Sequence, residues 1–207
     1  MAYVALLDAS VLHPWVLCDL LLRLAERGLY RPAWSEAILD ELVRSLVERM
    51  PAHEERFQRR REHMEAAFAE AMTRVPERLV AAVPPAVDVG DRHVVAAALA
   101  ARADVIVTNN VRDFAAEALA EIGMLVQTAD EFSVHQWWLG PTGVTEELVA
   151  MAGATGQPPL TPREVLQSLG RHAPEFERLV AASPEFAAAV GADLTSETHG
   201  AQTAGNE

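Results

Sequence analysis

From its N-terminus the chain sets short, uninterrupted apolar runs against longer stretches in which apolar residues return every three or four positions. YVALL (3–7), DVIV (104–107) and MLV (124–126) are apolar almost throughout, the pattern of strands buried on both faces of a sheet. VLCDLLLRLAER (16–27) has helical spacing and stops at Gly28, a residue suited to ending a helix. Ser35 can cap a following helix that carries Ile38, Leu39, Leu42 and Leu46 on one face, and Pro51 ends it. EERFQRRREHMEAAFAEAMT (54–73) reads as one charged amphipathic helix, with Phe57, Met64, Phe68 and Met72 inward and Arg59, Arg60 and Arg61 on a solvated face. After the break at Pro84-Pro85 come an alanine-rich helix beginning near Asp91, the second strand, a helix over 115–122 closed by Gly123, and the third strand. Strands alternating with helices predict a three-layer α/β domain with a mostly parallel central sheet.

Beyond this domain, taken as residues 1–138, the composition turns to Gly, Pro and Thr, and residues 139–160 read as a linker. Thr161-Pro162-Arg163-Glu164 is a capping box with proline at the first helical position, so a small helical C-terminal extension is expected over 161–194. Residues 195–207 hold too little apolar content to fold alone and are expected to be disordered. Trp137-Trp138 are expected to pack this C-terminal part against the core.

Composition narrows the chemistry. Cys18 is the sole cysteine among 207 residues, which excludes an internal disulfide and every multi-cysteine metal site; a metal would be held by oxygen. No apolar run approaches the roughly 18 residues of a membrane span, and the start lacks the charged n-region of a signal peptide, so no membrane and a cytoplasmic location are expected. All 17 basic residues are arginines, and the net charge is -13, divided as -6 over residues 1–130 and -7 over 131–207. Such a chain does not attract nucleic acid by bulk charge; a phosphate-bearing substrate needs local arginines or a metal.

The acids fall at telling places. Asp8 ends the first strand, and Asn109, Asn110 and Asp113 follow the second, which is the edge where parallel sheets place their ligands. A carboxylate directly after a buried strand is desolvated and needs a partner, and a cation would provide one. Asp88 and Asp91 carry two readings: an N-cap and a third helical position, where carboxylates favour the positive helix end, or members of the same acidic group. Glu41 lies about 60° outside the apolar stripe of its helix, by periodicity a boundary residue. If Asp8, Asp91 and Asp113 converge, Mg²⁺ or Mn²⁺ would relieve their repulsion and equip the site for hydrolysis of a phosphodiester.

Four segments together resemble the PIN-domain ribonucleases, above all the VapC-like toxins of type II toxin-antitoxin pairs: LLDAS, WSEAILDELVRSL, VDVGDRHVVAAALAARADVIVTNNVRDF and GMLVQTADEF, in the family's order over residues 3–135. The resemblance implies a magnesium-dependent endoribonuclease with a catalytic quartet of Asp8, Glu41, Asp91 and Asp113. Asp8 and Asp91 would be the main ligands of Mg²⁺ (or Mn²⁺), Asp113 would complete the shell or hold its waters, and Glu41 would bind through water or orient the attacking water. Asn109 and Asp88 would support, Asn109 by holding Asp8 or a water of the ion. It further implies an RNA substrate, a cognate antitoxin and a homodimer. Gly90 departs from the pattern, since relatives often carry another acid there, which would weaken a second metal site.

Arg44, Arg92 and Arg112 flank the quartet in sequence and could receive the RNA backbone, or serve as ordinary surface residues. His93 lies about 200° around the helix from Asp91, a position that favours packing or solvent over ligation. Receiver-like and dehalogenase-type phosphoryl-transfer domains also gather acids at strand ends, but they normally need a lysine, and this chain has none. The remaining alternative is a catalytically weak PIN-like module that binds RNA or protein without cutting.

Overall fold

The computed structural model describes residues 3–191. Its order is β1 (Val4–Leu7), α1 (Ala9–Leu12), α2 (Trp15–Glu26), β2 (Arg31–Ala33), α3 (Glu36–Arg49), α4 (Glu54–Ala67), α5 (Glu77–Ala81), α6 (Arg92–Ala101), β3 (Val105–Val107), α7 (Ala116–Ala120), β4 (Leu125–Gln127), α8 (Ala129–Leu139), α9 (Pro141–Gly153), α10 (Pro162–Gly170) and α11 (Pro174–Ala181). The four strands are all parallel, in the order β2-β1-β3-β4, with Leu6 opposite both Ala33 and Ile106. Successive strand residues point to opposite faces, and Ala5, Leu6, Leu7, Val105, Ile106 and Val107 are all inaccessible, so helices cover both faces. This is the expected three-layer α/β architecture.

The chain leaves β1 in one direction for β2 and returns to the other side of β1 for β3, which makes a switch point between β1 and β3. Loops diverge there and leave a crevice at the carboxyl edge. Gly28 and Gly123 close their helices with φ of +78° and +77°, the left-handed conformation in which a Cβ is costly. Ser35 caps α3 by accepting from the Ile38 N–H.

Several expectations are corrected. β2 was hidden by Pro32, which cannot donate to a ladder and is tolerated because β2 is an outer strand. The helix expected over 54–73 stops at Ala67: Phe68 leaves helical geometry, and residues 71–73 instead pair with Trp34, whose N–H donates to Ala71 O and whose carbonyl accepts from Thr73 N. Pairing along the outer side of β2 outweighs local helix preference there. Arg59 is exposed, but Arg60 is buried: its guanidinium donates to the carbonyls of Leu12 and His13 and lies 4.8 Å from the Trp15 ring centre. Arg61 bonds Glu65 at 2.8 Å and also Asp40.

Within the stretch read as a linker, residues Pro141–Gly153 form α9. Pro141 starts the helix, and Val144, Leu148 and Met151 recur on a buried face despite the surrounding Gly and Thr. Arg27 of α2 pairs with Glu146 and Glu147, and Arg23 also reaches Glu147. The Thr161 box caps α10 as expected. Asp130 of α8 accepts from the Glu175 and Phe176 N–H groups and so caps α11 from a distance. Buried Leu166, Leu169, Phe176 and Val180 belong to the same continuous apolar cluster as the sheet. Trp137 is buried, whereas Trp138 is 66% exposed and packs only in part. Among the described residues no helix is long and apolar enough to cross a membrane. The tail expected to be disordered lies outside the described residues.

Candidate active site

Asp8 begins where β1 ends. Its backbone N–H still donates to Val107 O of β3, which fixes the residue at the switch point, and the residue is only 4% exposed. A buried carboxylate is tolerated when donors replace water. Ser10 Oγ donates to Asp8 Oδ2 at 2.7 Å and Thr108 Oγ1 donates to the same oxygen at 2.8 Å. With their protons committed, the two hydroxyls accept in turn: Ser10 Oγ from Asn109 N at 3.0 Å, Thr108 Oγ1 from Asn110 N at 3.0 Å. The strand ends, the turn after β3 and the carboxylate are thus one network. Oδ1 of Asp8 takes none of the described hydrogen bonds.

Asn109 contributes one step away from Asp8. Its Nδ2 donates to the Ser10 carbonyl at 3.2 Å, so it steadies the residue that steadies Asp8. Ser10 and Thr108 were not singled out in the sequence; a hydroxyl two residues after the strand-end aspartate and another directly after VIV were the available signals.

The other acids come from two adjoining turns and a helix. Asp88 N donates to Asp113 O, which ties the tight turn Val89–Asp91 to the turn Val111–Phe114. Asp88 caps its own turn through Oδ1, which accepts from Gly90 N at 2.8 Å, in line with its capping reading. Asp91 stands at the N-cap of α6, yet its carboxylate caps nothing. Burial, followed by the charges of Asp8, Asp113, Asp88 and Glu41, pushes the Asp91 carboxyl up to about 6. Asp91 therefore lies within electrostatic reach of the other four acids. Asp113 is exposed at the rim, beside a cavity of about 460 Å³ lined by Asn109, Asn110, Arg112, Asp113 and Thr128.

Glu41 projects from α3 with its side chain 38% exposed, and Oε2 lies 3.2 Å from Nε2 of His93. The opposite ring nitrogen, Nδ1, lies 2.8 Å from Gly90 O. His93 thus joins the acidic group instead of simply packing or facing solvent: the first turn of α6 bends its ring back toward the turn that precedes it. Arg92 spends its guanidinium on Val87 O and Pro85 O, at 3.5 and 3.4 Å, and braces the loop before α6. Arg44 and Arg112 are exposed.

Among the described residues, no three His, Cys, Asp or Glu side chains stand arranged to hold a metal ion between them. The donor chemistry nevertheless suits a hard divalent cation. The carboxylates offer oxygen donors, Asp8 keeps an uncommitted oxygen, and the burial and neighbouring charges that raise Asp91 are what a cation would offset. Mg²⁺ commonly takes one or two carboxylates and fills the rest of its shell with water.

The sequence is similar to known proteins over its N-terminal half. The family description "PIN domain" matches residues 4–112. A protein of Mycobacterium tuberculosis (strain ATCC 25618 / H37Rv) named "Putative ribonuclease VapC50" is 37% identical over 86 residues, which cover 42% of this chain and 51% of that relative. The match therefore spans about half the relative's length. No solved structure matches at a significant level.

Proposed function

The chain belongs to the PIN-domain family, and on that premise we propose that it is a divalent-metal-dependent endoribonuclease, the toxin of a VapBC-type pair, cutting RNA phosphodiesters with Asp8, Glu41, Asp91 and Asp113. One observation supports the reading: the Asp91 carboxyl is raised to about 6, by burial first and then by the charges of Asp8, Asp113, Asp88 and Glu41, which come from four separate segments of the chain. A purely structural role gives no reason to gather charges that destabilise one another.

Asp8 and Asp91 would hold Mg²⁺ or Mn²⁺, with Asp113 at the rim holding waters of its shell. Bound there, the ion would supply positive charge against the growing charge of the phosphodiester and make water more acidic. The rest falls to the protein. Ser10 and Thr108 fix Asp8 so that one oxygen stays turned away from the hydroxyls. Glu41, half-exposed and open to solvent, accepts a hydrogen bond from the attacking water and orients it for in-line approach. Arg44 and Arg112, both exposed, would receive the RNA backbone, a need made acute by the net charge of -13. Asn109 acts through Ser10.

RNA as substrate, a cognate antitoxin and a homodimer come with this reading; the name of the mycobacterial relative supports its ribonuclease part. The test is direct. Purified, metal-stripped protein is mixed with RNA and given MgCl₂ or MnCl₂; cleavage should appear with the metal and vanish in Asp8→Asn. Folded wild type that binds RNA but cuts it in neither metal would overturn the enzyme reading in favour of a binding module.

A further inference from the structure

We infer that His93 is a positioning residue for Glu41, an inference that rests on the ribonuclease reading above. Three observations meet here. The imidazole bridges two elements: Nδ1 contacts the Gly90 carbonyl at 2.8 Å and Nε2 contacts Glu41 Oε2 at 3.2 Å. Both neighbours are acceptors, so the ring donates to each when doubly protonated and to one when neutral. The side chain is 30% exposed, too open for its place to be dictated by core packing, and it is the bonds that hold it.

The bridge has a geometric consequence. Glu41 rises from α3, following β2, while Asp91 and Gly90 belong to the turn before α6, on the other side of the chain's switch point. Among the described residues His93 makes the polar contact of the Glu41 carboxylate. It holds Oε2 toward α6 and leaves Oε1 for the water that Glu41 orients. Without the ring, a glutamate on an exposed helix flank samples several rotamers, and the fraction facing Asp91 falls. His93 touches neither RNA nor the reacting atoms and works through Glu41.

The test compares wild type, His93→Ala, His93→Gln, Glu41→Ala and the double variant His93→Ala/Glu41→Ala, with RNA cleavage followed in MgCl₂. Loss of a partner that orients a site carboxylate lowers activity by roughly 10 to 100-fold. His93→Ala should show that loss in kcat with KM for RNA within about twofold, because Glu41 does not bind the backbone. His93→Gln, which can present an amide N–H where Nε2 stood, should recover most of it. In the Glu41→Ala background the histidine change should cost nothing further. An unchanged kcat in His93→Ala, a loss carried by KM, or independent multiplication of the two effects would overturn the assignment. The same cycle read by urea unfolding reports the contact without any activity. Strictly additive stabilities would sink the His93 bridge itself, whereas coupled stabilities in an inactive wild type would retire the ribonuclease reading and the catalytic part of the inference with it.

Discussion

Thr108 and Asp8 stand at the carboxyl ends of neighbouring strands, and the threonine hydroxyl donates to Asp8 Oδ2 across 2.8 Å. The hydroxyl also accepts from Asn110 N, so the turn after β3 is registered against the carboxylate. Thr108→Val keeps the shape and removes both functions. A buried hydrogen bond to a charged group is worth about 1.5–3 kcal/mol, and urea unfolding at neutral pH should show a loss in that range. Thr108→Ser should cost less than half as much. A valine variant as stable as wild type would show that Ser10 alone suffices.

Asp91 makes stability depend on pH and on metal. Its carboxyl titrates near 6 in the fold against an ordinary 3.8, so the native state holds the extra proton between those values. The favourable contribution is complete below 3.8 and is lost as pH rises through 6. Since the side chain is part-exposed, solvent screening leaves on the order of 1 kcal/mol. In chelator, about half of this is lost between pH 5 and pH 7.5, so the unfolding temperature should fall by about 1–2 °C over that window on this account. Asp91→Asn should remove that component, and Mg²⁺ should raise the wild-type midpoint more at pH 7.5 than at pH 5. Equal metal effects at both pH values would contradict the proposed relief of repulsion.

Asp8→Asn should cut the rate of RNA cleavage by about 100-fold or more, the scale of losing a central group that stabilises transition-state charge. Circular dichroism should be unchanged, because an amide can still accept from Ser10 and Thr108. Residual cleavage within tenfold of wild type would move the reaction elsewhere.

The arginines divide by role. Arg44→Ala and Arg112→Ala, each made in the Asp8→Asn background, should weaken RNA binding and lower the slope of log affinity against log salt by about 0.7 per lost phosphate contact. Arg92→Ala should leave that slope unchanged and reduce stability, since its guanidinium braces Pro85 and Val87 carbonyls. Fluorescence anisotropy at several NaCl concentrations separates the two behaviours.

Asp130→Ala removes the cap of α11 and should cost about 1 kcal/mol. Amide hydrogen exchange at Glu175 and Phe176 should quicken before any change is seen in the sheet.

Much of this was legible before any coordinates. Uninterrupted apolar runs mark β1, β3 and β4 because both sheet faces are covered, and a carboxylate at the end of such a run is conspicuous. β2 was not legible: Pro32 reads as a break unless the strand's outer position is known. Residues 68–73 follow helical periodicity, yet tertiary pairing with Trp34 takes their backbone. Arg60 sits in a triple-arginine run that any pattern assigns to solvent, and only the fold reveals the free carbonyls at the end of α1 that draw it in. At the candidate site, strand-end positions point to Asp8 and Asp113, whereas Glu41 sits on a helix flank where periodicity gives no signal and the family resemblance does. The bridging ring of His93 stayed hidden because helical angle describes where a side chain leaves the axis, not where a flexible ring returns.

The ion pairs between α2 and α9 join Arg27 to Glu147, 120 positions later in the chain. A ribosome adds about 5–20 residues per second, so roughly 6–24 s separate the emergence of these two helices. Throughout that interval the apolar side of α2, already synthesised, lacks the helix that shields it. Until α9 emerges, the newborn polypeptide therefore carries that apolar face exposed, the kind of surface that chaperones bind.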